Sequence, residues 1–174
     1  MKYSIDSLTK NAYPVNFPVR IGATKHFQFR VVFDENCMYE QQTLQGQNYD
    51  GFNKVAGISF NLSKFNYNSV MCGWRCNAAK KCLELIPYAN ILGANFYDFG
   101  DMLTCNPNDV VICSVDIINA GVNYTIEVNG KAITRHFPMP TYNFIPLSHI
   151  IYFWFGGQLS APHDVSAAVD MYVV

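Results

Sequence analysis

Residues 109–137 read "DVVICSVDIINAGVNYTIEVNGKAITRHF". The first ten are dense in β-branched side chains, which pack well on a pleated surface and lose rotamer freedom in a helix. From Val122 the period is two: Val122, Tyr124, Ile126 and Val128 alternate with Asn123, Thr125 and Glu127. Such alternation gives a strand one apolar and one polar face. Asn129-Gly130 separates this run from the next, and Asn119-Ala120-Gly121 separates it from the one before. Asn and Gly tolerate the positive φ that tight turns require, so two successive hairpins are predicted.

The same rhythm runs through most of the chain. In "KHFQFRVVF", residues 25–33, Phe27, Phe29, Val31 and Phe33 share one face, with Gln28 and Arg30 opposite. "KVAGISFNL" (54–62) and "NSVMCGWRC" (68–76) repeat the pattern, and the second sets Val70, Cys72 and Trp74 together. "CLELIPYANI" (82–91) is extended, and Pro87 marks an edge or a bulge because proline donates no ladder hydrogen bond. "HIIYFWF" (149–155) and "VSAAVDMYVV" (165–174) close the chain as strands. Only "NAAKKCLEL" (77–85) reads as a helix, and a short one. About ten strands at this spacing predict an all-β fold, a two-sheet antiparallel β-sandwich of jelly-roll type. The length fits one domain over residues 1–174, with 1–20 as an extended N-terminal arm and 138–148 as the other linker-like stretch.

Half of the residues are hydrophobic and 15% aromatic, but only 14% are charged. The surface must therefore rely on Asn, Gln, Ser, Thr and Tyr, a composition that suits sugars, crowded assemblies or partner proteins. Twelve basic against thirteen acidic residues leave no electrostatic footprint for a phosphate backbone, so nucleic acid is not an expected partner. No apolar run reaches the roughly 18–20 residues that span a bilayer, and no membrane partner is expected. "MKYSIDSLTKNAYPVNFPVR" lacks an apolar signal core, so the expectation is synthesis in the cytoplasm without a signal peptide, with a virion as one destination. Cysteines 37, 72, 76, 82, 105 and 113 form no C-x-x-C pair and sit among apolar neighbours, which predicts reduced core thiols rather than a disulfide framework.

Three clusters are candidate sites. "YFWFGGQLSAPHD" (152–164) is either a sharp corner, with His163 and Asp164 bonding the exposed backbone, or a ligand site beside Trp154; Gly156, Gly157 and Pro162 favour the corner. "ANFYDFGDMLTCNPND" (94–109) is a long loop carrying Phe96, Tyr97, Asp98, Phe99, Asp101, Asn106, Asn108 and Asp109. Rings stack on sugar C–H faces while amides and carboxylates take hydroxyls, so this loop fits sugar recognition beside the plainer reading of a solvated connection. Its spacing permits calcium at Asp98, Asp101 and Asp109, although the regular D-x-[DN]-x-[DN]-G pattern is missing, and no cofactor is expected. Trp74 and Arg75 in "CGWRC" form a third candidate, a stacked pair on one sheet face, against the reading of Trp74 as core.

The hairpin "YTIEVNGKAI", the late aromatic strand and the final amphipathic strand resemble the concanavalin A-like lectin and glucanase sandwiches. The tail "YFWFGGQLSAPHDVSAAVDMYVV", with "NKVAGISF" and "NSVMCGWR", more narrowly resembles bacterial and phage domains ending in a Tyr-Phe-Gly-Gly…Ala-Pro-His-Asp block. The likeness covers residues 25–174 and departs from that block at Trp154-Phe155. It implies the sandwich fold. The neutral polar surface then leads to the expectation of a non-catalytic lectin-like module that binds a glycan or a protein partner. The missing signal core, reduced cysteines and low charge lead to self-assembly or virion proteins as that partner, with a structural or decoration role in a phage particle. The alternative that the likeness implies is a polysaccharide lyase or glycoside hydrolase of the same fold. Against catalysis, no E-x-D-x-E or E-x-D-x-x-E run is present, and Glu84 and Glu127 stand alone. The lyases' Gln-x-His and the lysine of their Tyr-Phe-Lys strand are missing as well.

Overall fold

A computed structural model describes residues 1–8, 18–20, 25–40, 42–44, 47–48, 51–61, 67–139, 147–156 and 159–173. Fifteen strands run through them. They are β1 (Lys2–Ile5), β2 (Pro18–Arg20), β3 (His26–Phe33), β4 (Thr43–Leu44), β5 (Gln47–Asn48), β6 (Asn53–Ser59), β7 (Asn68–Asn77) and β8 (Cys82–Ile91), followed by β9 (Ala94–Phe96), β10 (Leu103–Cys105), β11 (Val110–Ile118), β12 (Gly121–Val128), β13 (Lys131–Phe137), β14 (Leu147–Trp154) and β15 (Val165–Val173). A 3-10 turn at Glu35–Cys37 is the only helical element among the described residues.

Six strands form one sheet in the order β1-β15-β3-β11-β12-β13. Seven form the other: β10-β8-β7-β6-β14-β2, with β9 also paired to β8. Every pairing is antiparallel. The two sheets enclose one core, in which Phe29, Val31, Val111, Cys113, Tyr124 and Ile126 of the first meet Val55, Val70, Cys72, Trp74, Leu85 and Phe153 of the second. The chain is an all-β antiparallel two-sheet sandwich, compatible with a jelly roll.

Both hairpins form where the turn residues place them. Ile118 pairs with Gly121 and Val128 with Lys131, and Asn129 and Gly130 take φ of 51° and 73°. Pro87 sits in β8 opposite Cys72, while on the other side β10 reaches only Leu85 and pairing with β9 starts at Ala89. The proline thus lies where one side of the ladder is open, as its missing N–H requires.

The expected helix at 77–85 is not there. Asn77 ends β7, Cys82 begins β8, and the intervening residues turn, with the Lys80 N–H bonded to Asn77 Oδ1 at 3.0 Å and Lys81 at φ 54°. A local asparagine-capped turn wins because Cys82–Leu85 join the ten-residue ladder that β8 makes with β7, which a two-turn helix could not offset. Strands also extend beyond the expected ten. β2, β9 and β10 are three residues each, too short to show a period. The stretch read as an arm contributes β1, paired to β15, and β2, paired to β14. The linker-like residues 140–146 lie outside the described residues, as do Gly157 and Gln158. No helix among the described residues is long and apolar enough to cross a membrane.

Candidate functional site

Strand alternation splits β7 between two environments. Cys72, Trp74 and Cys76 point into the core, and Met71, Gly73 and Arg75 point to the outer face of the seven-stranded sheet. Trp74 is fully buried, stacked on Phe153 with centroids 5.4 Å apart and edge-on to Tyr39 and Phe155. It cannot pair with Arg75 at a surface, since neighbours on a strand face opposite ways.

On the outer face, register brings distant residues together. Tyr88 lies opposite Met71, Glu84 opposite Arg75, and Lys54 opposite both Gly73 and Trp154. Met71, Tyr88, Ile151 and Trp154 form a second, smaller apolar cluster there. A side chain at Gly73 would bring a Cβ within 2.8 Å of Ile86 and 3.3 Å of Phe52, so the missing Cβ makes room for the Phe52 ring. The loop after β9 then folds back over this face. Tyr97 stacks on Tyr88 at 5.3 Å and 13°, and Phe52 and Phe99 stand edge-on or tilted to Tyr97 and to each other. The result is an aromatic shelf whose outer rings stay in water: Tyr97 is 39% exposed and Phe99 52%.

Two cations sit at this shelf. The Arg75 guanidinium lies 4.7 Å from the Phe52 centroid and 5.6 Å from that of Phe99, and its Nε donates to Glu84 Oε2 at 2.8 Å. Glu84 is buried and also accepts from Asn77 Nδ2 at 2.7 Å and from Lys80 Nζ at 3.4 Å. Burial pushes its carboxyl up, but the Asn77 and Arg75 hydrogen bonds outweigh this and hold it below the usual carboxylate range. Lys54 is different. Its ammonium lies 5.2 Å from the Tyr88 centroid and 5.4 Å from that of Trp154. No carboxylate among the described residues pairs with it, and burial alone pushes its amine down to about 8.

The acidic residues of the 94–109 loop do not form one site. Asp98 and Asp101 converge on Arg135 of β13, Asp98 at 3.3 Å. The Gly100 N–H, then Arg135, hold the Asp98 carboxyl below its ordinary range. A guanidinium therefore stands where a calcium ion would have to sit. Asp109 belongs to the next turn, accepting from the Asn106 N–H at 2.8 Å and from Asn129 Nδ2 at 2.9 Å. Among the described residues no group of three His, Cys, Asp or Glu is placed to hold a metal ion.

The 152–164 stretch divides in the same way. Trp154 belongs to the outer-face cluster, while Asp164 accepts the Ser7 N–H at 2.7 Å and His163 Nε2 donates to the Asn36 carbonyl at 2.8 Å. His163 also edges an open groove of about 650 Å³ with Met38, Tyr39, Glu40, Gln42 and Pro162. Of the residues singled out from sequence, the fold thus gathers Arg75, Tyr97 and Trp154 at one shelf. Asn106, Asp109, His163 and Asp164 go to backbone-bonding turns. Lys54, Phe52 and Tyr88 were not foreseen; a lone lysine inside the apolar run "KVAGISF" was the available signal.

No protein-family model matches the chain, and no match was found among curated proteins. The fold and this face define an antiparallel β-sandwich with an aromatic, cation-bearing shelf on its seven-stranded sheet.

Proposed function

We propose that the protein is a non-catalytic lectin-like module of the concanavalin A-like type that binds a glycan on the Phe52–Tyr97–Phe99 shelf. The observation that carries this reading is the exposure of Tyr97 and Phe99 above a fixed second layer of rings. Aromatic rings left in water at a rigid site offer C–H-stacking platforms without the entropy cost of ordering them on binding. What favours binding over catalysis is the state of Glu84, the buried carboxylate at the face. It is committed to Arg75, Asn77 and Lys80 and holds no position from which to accept a substrate proton.

A broad glycan array followed by calorimetry tests the reading. The Tyr97→Ala, Phe99→Ala double variant should lose about tenfold or more in affinity for the array hits while keeping its melting temperature, since each stacked ring is worth about 1 kcal/mol. An array with no hits would overturn the glycan reading. Self-association or affinity for virus particles at the same shelf would then favour the decoration role, because an exposed apolar patch on a chain of net charge −1 also suits protein contact.

A further inference from the structure

We infer that the glycan recognised at the shelf is acidic, and that Lys54 is the residue that reads its negative group. This rests on the sugar-binding reading and adds the ligand's chemical class. Lys54 Nζ lies against the Tyr88 ring on whose other neighbour, Tyr97, a sugar would stack, so cation and platform fall within the span of a disaccharide. The remaining charges at this face are matched. Arg75 holds Glu84, and Arg135 holds Asp98 and Asp101. Lys54 alone at the shelf has only ring faces for company, Tyr88 and Trp154, among the described residues. An ammonium in that setting has lost water and gained no counter-ion, and its amine is correspondingly pushed down to about 8. A carboxylate or sulfate on a bound sugar would supply the missing partner, and a neutral sugar would leave it missing. Discrimination follows from that difference. Carboxylated and sulfated sugars share the chemistry Lys54 reads, and separate arms of the experiment distinguish them.

The test is an array carrying uronate-containing, sialylated, sulfated and neutral glycans, followed by calorimetry on wild type, Lys54→Met, Lys54→Arg and Tyr97→Ala, with melting temperature as the check on folding. Acidic hits should dominate, and whether they are carboxylated or sulfated names the source of the charge. Lys54→Met should lose about tenfold or more on acidic hits and nothing on neutral ones. Lys54→Arg should recover part of the loss, and Tyr97→Ala should weaken both kinds. Hits that are mainly neutral, or acidic hits that Lys54→Met binds as well as wild type, would overturn the inference and leave the sugar-binding reading standing. An array with no hits would remove both.

Discussion

Glu84 is buried and Lys54 half-buried among rings; the two charges are handled in opposite ways, and each predicts a stability profile. The Lys54 amine sits at about 8 in the folded chain against 10.5 for the free side chain. Between those values the unfolded chain keeps a proton that the folded chain has shed, so stability rises as pH climbs through this window. Below it the charged lysine costs the fold up to about 3 kcal/mol. Lys54→Met should therefore be the more stable protein near pH 7, with the difference shrinking to less than about 1 kcal/mol near pH 10; denaturant titrations at both values check this, and equal stability near pH 7 would contradict it. Glu84 runs the other way. Its carboxyl is held low, so its contribution is complete above the unfolded carboxylate value and lost as pH falls through the folded one. Glu84→Gln leaves the half-buried Arg75 without its counter-charge and should cost about 2 kcal/mol at neutral pH, less in acid.

The paired elements show what was legible in the sequence and what was not. β3, β11 and β12 alternate because one side faces the core and the other water, and their hairpin turns carry Asn or Gly where positive φ is needed. β6, β7 and β8 are buried on both faces. Alternation set Val70, Cys72 and Trp74 on one face of β7, and all three lie in the core, but with both faces apolar nothing local showed what the opposite face carries. The bulge in β6 was equally silent. Register slips between Val55 and Ile58, where Ala56 takes φ 52° and Gly57 lies so close to β7 that a Cβ would overlap the Val70 carbonyl and Met71. Tyr124 of β12 reaches across the core and donates its hydroxyl to the Ala56 carbonyl, tying the six-stranded sheet to the bulge. Gly57→Ala should cost about 2 kcal/mol through overpacking, and Tyr124→Phe about 1–2 kcal/mol by leaving that carbonyl unmet. Thermal unfolding checks both. A Tyr124→Phe protein as stable as wild type would mean the bulge does not need the bond.

Across the whole molecule, two-residue alternation foretold the layers and the core but not which strands pair. Phe52, Lys54, Tyr88, Tyr97 and Trp154 come from four separate stretches of chain, and only the order β8-β7-β6-β14 makes them neighbours. Pairing of distant strands leaves no local pattern, so Tyr97 was visible as a candidate while Lys54 was not. The same layering governs the thiols. All six are free; five are buried and Cys82 is half-exposed at the mouth of β8. Burial pushes the Cys37 and Cys105 thiols up to about 12. In the folded protein a disulfide reagent near pH 8 should therefore titrate at most Cys82, and in guanidinium all six. Rapid modification of several native thiols would show the layers to be less tightly closed.

On the proposed reading, ligand binds on the outer face of the seven-stranded sheet. The most direct measurement is an NMR titration of protein labelled in its aromatic and lysine side chains with the tightest acidic glycan from the array. Resonances of Tyr97, Phe99 and Lys54 should move together and saturate at one affinity, while those of Tyr39, beside the His163 groove, stay still. Shifts centred on Tyr39, with the shelf unmoved, would contradict the account.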